Sequence, residues 1–325
     1  MLGWWLIRDA LLYQVRLRKN RIIVHNGWSL QAIANNDDDK NLVRATFESL
    51  DEKQSQTTLE ADLLIGADGV NSATRRCLGF SSATLTGATC WRCRVDDVDL
   101  SSSLHHHEVL RPLLEQGPTP IGKFYGETFI NVFNYHEKLP GTMSYVISTK
   151  ASVPDGAHPQ TVLGKHNVKP EEQDILAALY ALSDQRDLFH PIPLKVVPVT
   201  KDHTEWGCGR VTLIGDAAHA YVILDVQDGK SKVSQQCARG LYNSVRPISG
   251  QGASMAFEDA VVFCRKAAQY KAGRADAFLR DFERCRLDRV RQVSETEWDN
   301  AERSYKESRP IGPSDDYKAF LRKGV

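Results

Sequence analysis

The chain of 325 residues carries 41 basic and 41 acidic side chains, and its formal net charge of zero gives no footing for a nucleic-acid partner or an anionic membrane. It is long enough to bury a large core in one large or two modest domains. The seven cysteines are odd in number and scattered, which suits a reducing, cytoplasmic compartment; the apolar start at residues 2–7 halts at Arg8 and Asp9, too short for a signal peptide's core, and no other run is long enough to span a membrane.

In chain order, Asp9 reads as the N-cap of a first helix with Leu11, Leu12 and Val15 inward, followed by a strand over 21–24. Strands are expected around 30–33 and, alternating, over 42–47, joined by a solvated polar turn at 35–39; a buried strand follows over 62–66. From about 86 to 199 the pattern changes to short β-like runs at 89–95, 123–124, 129–133 and 144–147, as in a mostly antiparallel sheet. Within it Cys90 and Cys93 form a C-x-x-C with no second pair and no helix N-terminus at hand, and His105, His106, His107 and Glu108 have no partner cluster to complete a metal site; both are read as structural or solvated. An amphipathic helix over 171–182 places Ile175, Leu176, Leu179 and Leu182 on one face, and Pro191, Pro193 and Pro198 mark an extended return. Residues 211–214 form a second buried strand. Ala253, Ala256, Phe257, Ala260, Val261 and Cys264 make an apolar stripe at helical spacing, and residues 274–306 are charged and helical, with Phe278, Phe282, Cys285 and Val293 inward.

Two of these strands deliver the same device. After residues 211–214 come Gly215, which permits a close backbone turn, and Asp216, which supplies acceptor oxygens, with the small Ala217 and Ala218 and then His219, read as a hydrogen-bonded core residue. After the strand ending at Gly66 come Ala67, Asp68 and Gly69, then Ser72 and the pair Arg75 and Arg76. The carboxyl ends of strands in an open α/β sheet are where ligands bind. Further along, Arg246, Pro247, Gly250, Gln251 and Gly252 lead into the helix of Ala253; glycines at that point let a helix N-terminus approach an anion.

These motifs, in this order, resemble those of the FAD-dependent aromatic-ring monooxygenases, flavoproteins of the para-hydroxybenzoate hydroxylase type. The resemblance implies an α/β fold with a partial FAD-binding Rossmann-like domain at residues 1–85 and 201–273, an antiparallel β-sheet substrate domain at 86–200, and a long C-terminal helix and tail at 274–325. It implies FAD as cofactor, NAD(P)H as co-substrate, and transfer of oxygen from O₂ to an aromatic or similar electron-rich small molecule, the protein orienting the cofactor and excluding water. By the same resemblance Gly215 and Asp216 meet the ribityl chain, Gly252 and Ala253 bring N–H groups to the pyrimidine edge, and Gly250 is counted among the cofactor-binding residues. Pro247 walls the oxygen side, Asp68 stiffens the loop near the pyrophosphate, and Arg8 touches the flavin. No general base is identified.

The chain departs from the family pattern at two places. It has no Gly-x-Gly-x-x-Gly turn, starting where the family is already inside its first domain, and residues 221–245 separate the Gly-Asp turn from Pro247. That insert, polar and without period beyond a strand-like 221–224, is expected to be a surface loop or translated non-coding sequence. The alternative reading is a non-catalytic remnant of such a flavoprotein that no longer holds FAD.

Overall fold

The structure, a computed structural model, describes residues 4–35, 42–51, 55–95, 108–112, 121–125, 128–134, 143–149, 170–183, 191–200, 206–220, 223–225, 251–270 and 275–306. Two units divide the chain: Met1–Val24 with Gly87–Leu194 and Ser304–Gly312, and His25–Thr86 with Lys195–Arg303 and Pro313–Val325.

The first unit opens with α1 (Trp4–Leu17). Asp9 therefore lies inside the helix rather than capping it, because Trp4 to Ile7 continue the helical run upstream and the Asp9 carboxylate pairs sideways with Arg8, 2.9 Å away, instead of with a backbone N–H. Leu11 and Leu12, expected inward, are exposed. The strand expected over 21–24 is absent: the chain turns at Arg18, whose carbonyl accepts from the N–H groups of Arg21 and Ile22, and the exposed Ile22, Ile23 and Val24 meet no neighbouring strand among the described residues. A five-stranded sheet follows in the order β6-β7-β8-β5-β9, from β5 (Thr84–Val95), β6 (Ile121–Tyr125), β7 (Thr128–Asn134), β8 (Met143–Thr149) and β9 (Pro191–Val196). The pairs β6/β7, β7/β8 and β8/β5 are antiparallel, and β5 sets Trp91 opposite Ile147, both fully buried. Cys90 beside them is buried too, and burial pushes its thiol up. His105, His106 and His107 lie outside the described residues. Helix α3 (Pro170–Ser183) buries Ala178, Leu179 and Tyr180.

The second unit begins with an antiparallel sheet of β1 (Trp28–Asn35), β2 (Val43–Ser49) and β3 (Gln56–Ala61). Strand β3 was not anticipated from its polar sequence. Cross-strand pairs hold it: Glu60 faces Arg44 across a 2.6 Å ion pair, and the hydroxyls of Thr58 and Thr46 meet at 3.2 Å. Two parallel pairs follow, β4 (Leu64–Gly66) with β11 (Val211–Leu213), and β10 (Pro198–Thr200) with β12 (Ile223–Asp225). Between them in the chain come α2 (Ala73–Cys77) and the single-turn α4 (Asp216–His219); α5 (Gln251–Ala267) and α6 (Ala275–Lys306) complete the unit.

The core of this unit gathers Trp206, Leu213, Ala217, Ala218 and Met255 against Leu287, Val290 and Val293 of α6, with Leu78 and Phe80 packed on it. Phe282 is buried as expected, edge-on to Phe263, whereas Cys285 is exposed. The fully buried Glu283 ties α6 to β11: it accepts from the Trp206 N–H at 3.0 Å and the Thr212 hydroxyl at 2.5 Å, and pairs with Arg280 at 2.9 Å. The stripe expected to bury α5 does not: Ala253, Phe257, Ala260, Val261 and Cys264 are exposed, and Met255 and Asp259 face the core instead. Three alanines offer little apolar area, and the opposite face is claimed by ion pairs from α6.

Candidate functional site

The two turns singled out in the sequence emerge side by side. β4 and β11 run parallel in the register Leu64–Val211, Ile65–Thr212 and Gly66–Leu213, and the Ile214 N–H continues the ladder to the Gly66 carbonyl at 2.9 Å. Ala67-Asp68-Gly69 and Gly215-Asp216 therefore both leave the carboxyl ends of adjacent parallel strands. Glycine at 66 is required by proximity: a Cβ there would stand 2.6 Å from Leu213 Cδ2 and 2.7 Å from Thr74 Cβ.

Asp68 organises the first turn from within. Its Oδ1 accepts from the Ser72 hydroxyl at 2.6 Å, while Oδ2 accepts from the Thr74 N–H at 2.9 Å and the Thr74 hydroxyl at 3.0 Å. Ser72 in turn caps α2 by accepting from the Arg75 N–H at 2.8 Å. Burial pushes the Asp68 carboxyl up, but these hydrogen bonds outweigh it and hold the group below the usual carboxylate range. With both oxygens engaged, Asp68 shapes the loop.

Arg75 then joins the two turns. It is buried, its Nε donates to the Ser81 carbonyl at 2.6 Å and its Nη1 to the Ala217 carbonyl at 3.1 Å, and Phe80 lies beneath the guanidinium with its ring centre 5.8 Å away. Burial lowers its pKa, and it stays charged nonetheless because a guanidinium starts so high.

The second turn is held from behind. Gly215 adopts φ 58° and ψ −143°, a region that side-chain-bearing residues scarcely enter. Its N–H donates at 2.8 Å to Oδ2 of Asp259, and the same oxygen lies 2.7 Å from His219 Nε2. Asp259 Oδ1 accepts from Arg286 Nε at 2.6 Å; Arg286 also reaches Glu258 at 3.0 Å, and Arg289 reaches Glu258 at 3.2 Å. Burial raises the Asp259 carboxyl, yet the charge and hydrogen bond of His219, the Arg286 guanidinium and the Gly215 N–H outweigh it and hold the group below the usual range. Because Asp259 is then the acceptor, the proton between the two rests on His219 Nε2, and the imidazole packs against the Trp206 indole, centroids 5.2 Å apart. His219 is a core residue. Asp216 alone of this group faces outward, exposed and without a hydrogen-bond partner among the described residues.

Of the residues singled out in the sequence, the second unit thus brings together Asp68, Gly215 and Asp216. Gly252 and Ala253 lie exposed in the first turn of α5, which touches the same turn where a Cβ on Gly215 would come within 3.3 Å of Ala256. Pro247 and Gly250 lie outside the described residues. Arg8 belongs to the other unit, exposed on α1 and paired with Asp9. Asp259, Arg286 and the bridging role of Arg75 were missed. Their only signal in the sequence is an acid at the centre of an apolar helix and a basic pair after Ser72. Among the described residues no group of three or more His, Cys, Asp or Glu could hold a metal, and no helix is long and apolar enough to cross a membrane.

Paired parallel strands ending in Asp-Gly and Gly-Asp turns mark a nucleotide-cofactor domain, and residues 24–223, well over half the chain, match the model of the FAD binding domain family. The chain belongs to that family. It is 27% identical to 3-hydroxybenzoate 6-hydroxylase of Klebsiella oxytoca over 242 residues, which cover 72% of this chain and 48% of that relative. With 2-heptyl-3-hydroxy-4(1H)-quinolone synthase of Pseudomonas aeruginosa it shares 30% identity over 228 residues, 64% of this chain and 44% of the other. The chain thus spans about half the length of the curated relatives it matches. Among solved structures, HpxO of Klebsiella pneumoniae complexed with FAD and uric acid superposes with a TM-score of 0.60 at 23% identity, covering 98% of this chain and 66% of that one, so the mixed α/β fold is shared.

Proposed function

We propose that this chain is the FAD-holding part of an NAD(P)H-dependent monooxygenase that hydroxylates an aromatic or similar electron-rich small molecule. The observation that carries the reading is the pair of turns, Asp68-Gly69 and Gly215-Asp216, set side by side at the carboxyl ends of β4 and β11. The available groups fit FAD. The exposed Asp216 carboxylate can accept from the ribityl hydroxyls. The first N–H groups of α5, at Gly252 and Ala253, have no acceptor within their own helix, and space beside Gly252 is open, with nothing within 4 Å of a Cβ placed there. Gly250, Pro247 and Arg8 are assigned to the cofactor, and the antiparallel sheet to the substrate, on the family resemblance alone.

When bound, FAD supplies the redox chemistry, taking electrons from NAD(P)H and delivering one atom of O₂ to the substrate. The protein's own part is to orient the cofactor through backbone donors and one carboxylate. Asp68 keeps its turn in one shape through hydrogen bonds to both of its oxygens, and the buried His219 is engaged with Asp259, so no general base is assigned among them. Five cysteines stand free among the described residues, which supports a reducing, cytoplasmic setting. Purified chain reconstituted with FAD tests the reading: bound flavin absorbance and NAD(P)H oxidation stimulated by a phenol are expected, and failure to retain any FAD overturns it.

A further inference from the structure

One oxygen of Asp259 grips both ends of α4. The Gly215 N–H, at the helix's start, and His219 Nε2, on its last residue, converge on Oδ2 at 2.8 and 2.7 Å, and the residue between them that points outward is Asp216. Asp259 itself has no exposed surface, and its other oxygen is fixed at 2.6 Å by Arg286. We propose that Asp259 is a positioning residue: it holds the Gly215 turn in its strained backbone state and thereby places the Asp216 carboxylate for the ribityl chain of FAD. This rests on the functional reading above, and it extends that reading to a residue that never touches the cofactor.

Strained backbone persists only where surroundings over-determine it. Here the Gly215 carbonyl is held within α4 by the N–H groups of Ala218 and His219, and its N–H is held by the Asp259 carboxylate. Among the described residues, a Gly215 with its N–H free has no hydrogen bond tying it to α5, and the His219 imidazole keeps its ring contact with Trp206 but no hydrogen bond. The charged groups that face Asp259 are His219 from α4, Arg286 from α6 and, through Arg286, Glu258 of its own helix and Arg289. An asparagine at 259 keeps one acceptor oxygen and turns an NH₂ toward either Arg286 or the Gly215–His219 pair, so it cannot satisfy both sides.

The test is a double-mutant cycle on FAD affinity, read by flavin fluorescence, with Asp259→Asn, Asp216→Ala and the double variant, and Glu283→Gln as a control for a buried carboxylate elsewhere in the core. Asp259→Asn is expected to weaken FAD binding at least tenfold, Glu283→Gln less than threefold, and the double variant no more than Asp216→Ala alone, because Asp259 acts through Asp216. Hydrogen exchange of the apo protein gives a second readout: residues 211–220 are expected to exchange faster in Asp259→Asn than in Glu283→Gln. Additive losses in the cycle overturn the proposal, as does unchanged exchange over 211–220. Should the wild-type chain retain no FAD, the functional reading falls, and this inference with it; should wild type and Asp259→Asn bind equally, the inference falls alone.

Discussion

Replacing Gly66 by alanine tests whether the two turns are held together by close packing between β4, β11 and α2. A Cβ at 66 would stand 2.6 Å from Leu213 Cδ2 and 2.7 Å from both Cβ and Cγ2 of Thr74. Carbon atoms rest about 3.5–4.0 Å apart, so each contact is short by roughly 1 Å. Neither neighbour can swing away. Leu213 is fully buried in the core, and Thr74, also buried, holds Asp68 with its N–H and its hydroxyl. Overpacking of this kind costs about 1–3 kcal/mol, and with two fixed neighbours struck at once the upper end, ~3 kcal/mol or about a hundredfold in the folded-to-unfolded ratio, is expected. Gly69→Ala is the contrast: its φ is +74° but nothing lies within 4 Å of a Cβ, so only the left-handed strain of about 1–2 kcal/mol remains. Urea unfolding followed by the fluorescence of tryptophan, Trp206 being buried, measures both. A midpoint for Gly66→Ala equal to or above that of Gly69→Ala refutes the packing argument.

Asp68 carries a pH signature. Its folded pKa lies below the unfolded value, so its contribution is fully present above the unfolded pKa and is lost as pH falls through the folded one; the stability gap between wild type and Asp68→Ala is expected to be flat from about pH 5 to 7 and to close below about pH 4. Denaturant titrations across that range check it, and a gap that persists undiminished at low pH contradicts the assignment. Arg75→Lys is expected to cost about 1–3 kcal/mol, because an ammonium cannot reach the Ser81 and Ala217 carbonyls at once while stacking on Phe80. Thermal melts that leave Arg75→Lys indistinguishable from wild type would remove the bridge between the turns.

What was legible in the sequence was whatever is encoded locally. A short β-branched and apolar run closed by Gly-Asp gave β11 and its turn, because a strand buried along its whole length leaves no alternation and needs residues that pack, here Val211 and Leu213 about a Thr212 whose hydroxyl is satisfied by Glu283. The antiparallel pairing of β5 to β8 followed in the same way from aromatic and β-branched runs. Strand β3 was hidden because Gln56–Ala61 has only Leu59 and Ala61 as apolar residues and is held by partners on β2, a fact of pairing rather than of composition. Helix α5 misled for a related reason. Counting apolar positions favoured the stripe through Ala253, Ala256 and Ala260, yet Met255, Asp259, Val262 and Phe263 sit at equally helical spacing. They form the less exposed face because Arg286 and His219, distant in sequence, supply what a buried acid requires.

That buried acid bears on how the site is made. Withdrawing Asp259 and Arg286 from water costs several kcal/mol per ion, and a buried pair seldom recovers more than that through its own attraction. For the ion pair alone, apolar side chains of similar volume are often an equally stable filling. They would not, however, offer an acceptor to the Gly215 N–H, and a glycine at φ 58° with its N–H unpaired relaxes. The ionic cluster behind the turn therefore contributes geometry more than net stability. The groups assigned to FAD are backbone donors and a single exposed carboxylate, which have no bulk of their own to fix their place, and the precision of such a site must come from the residues behind it.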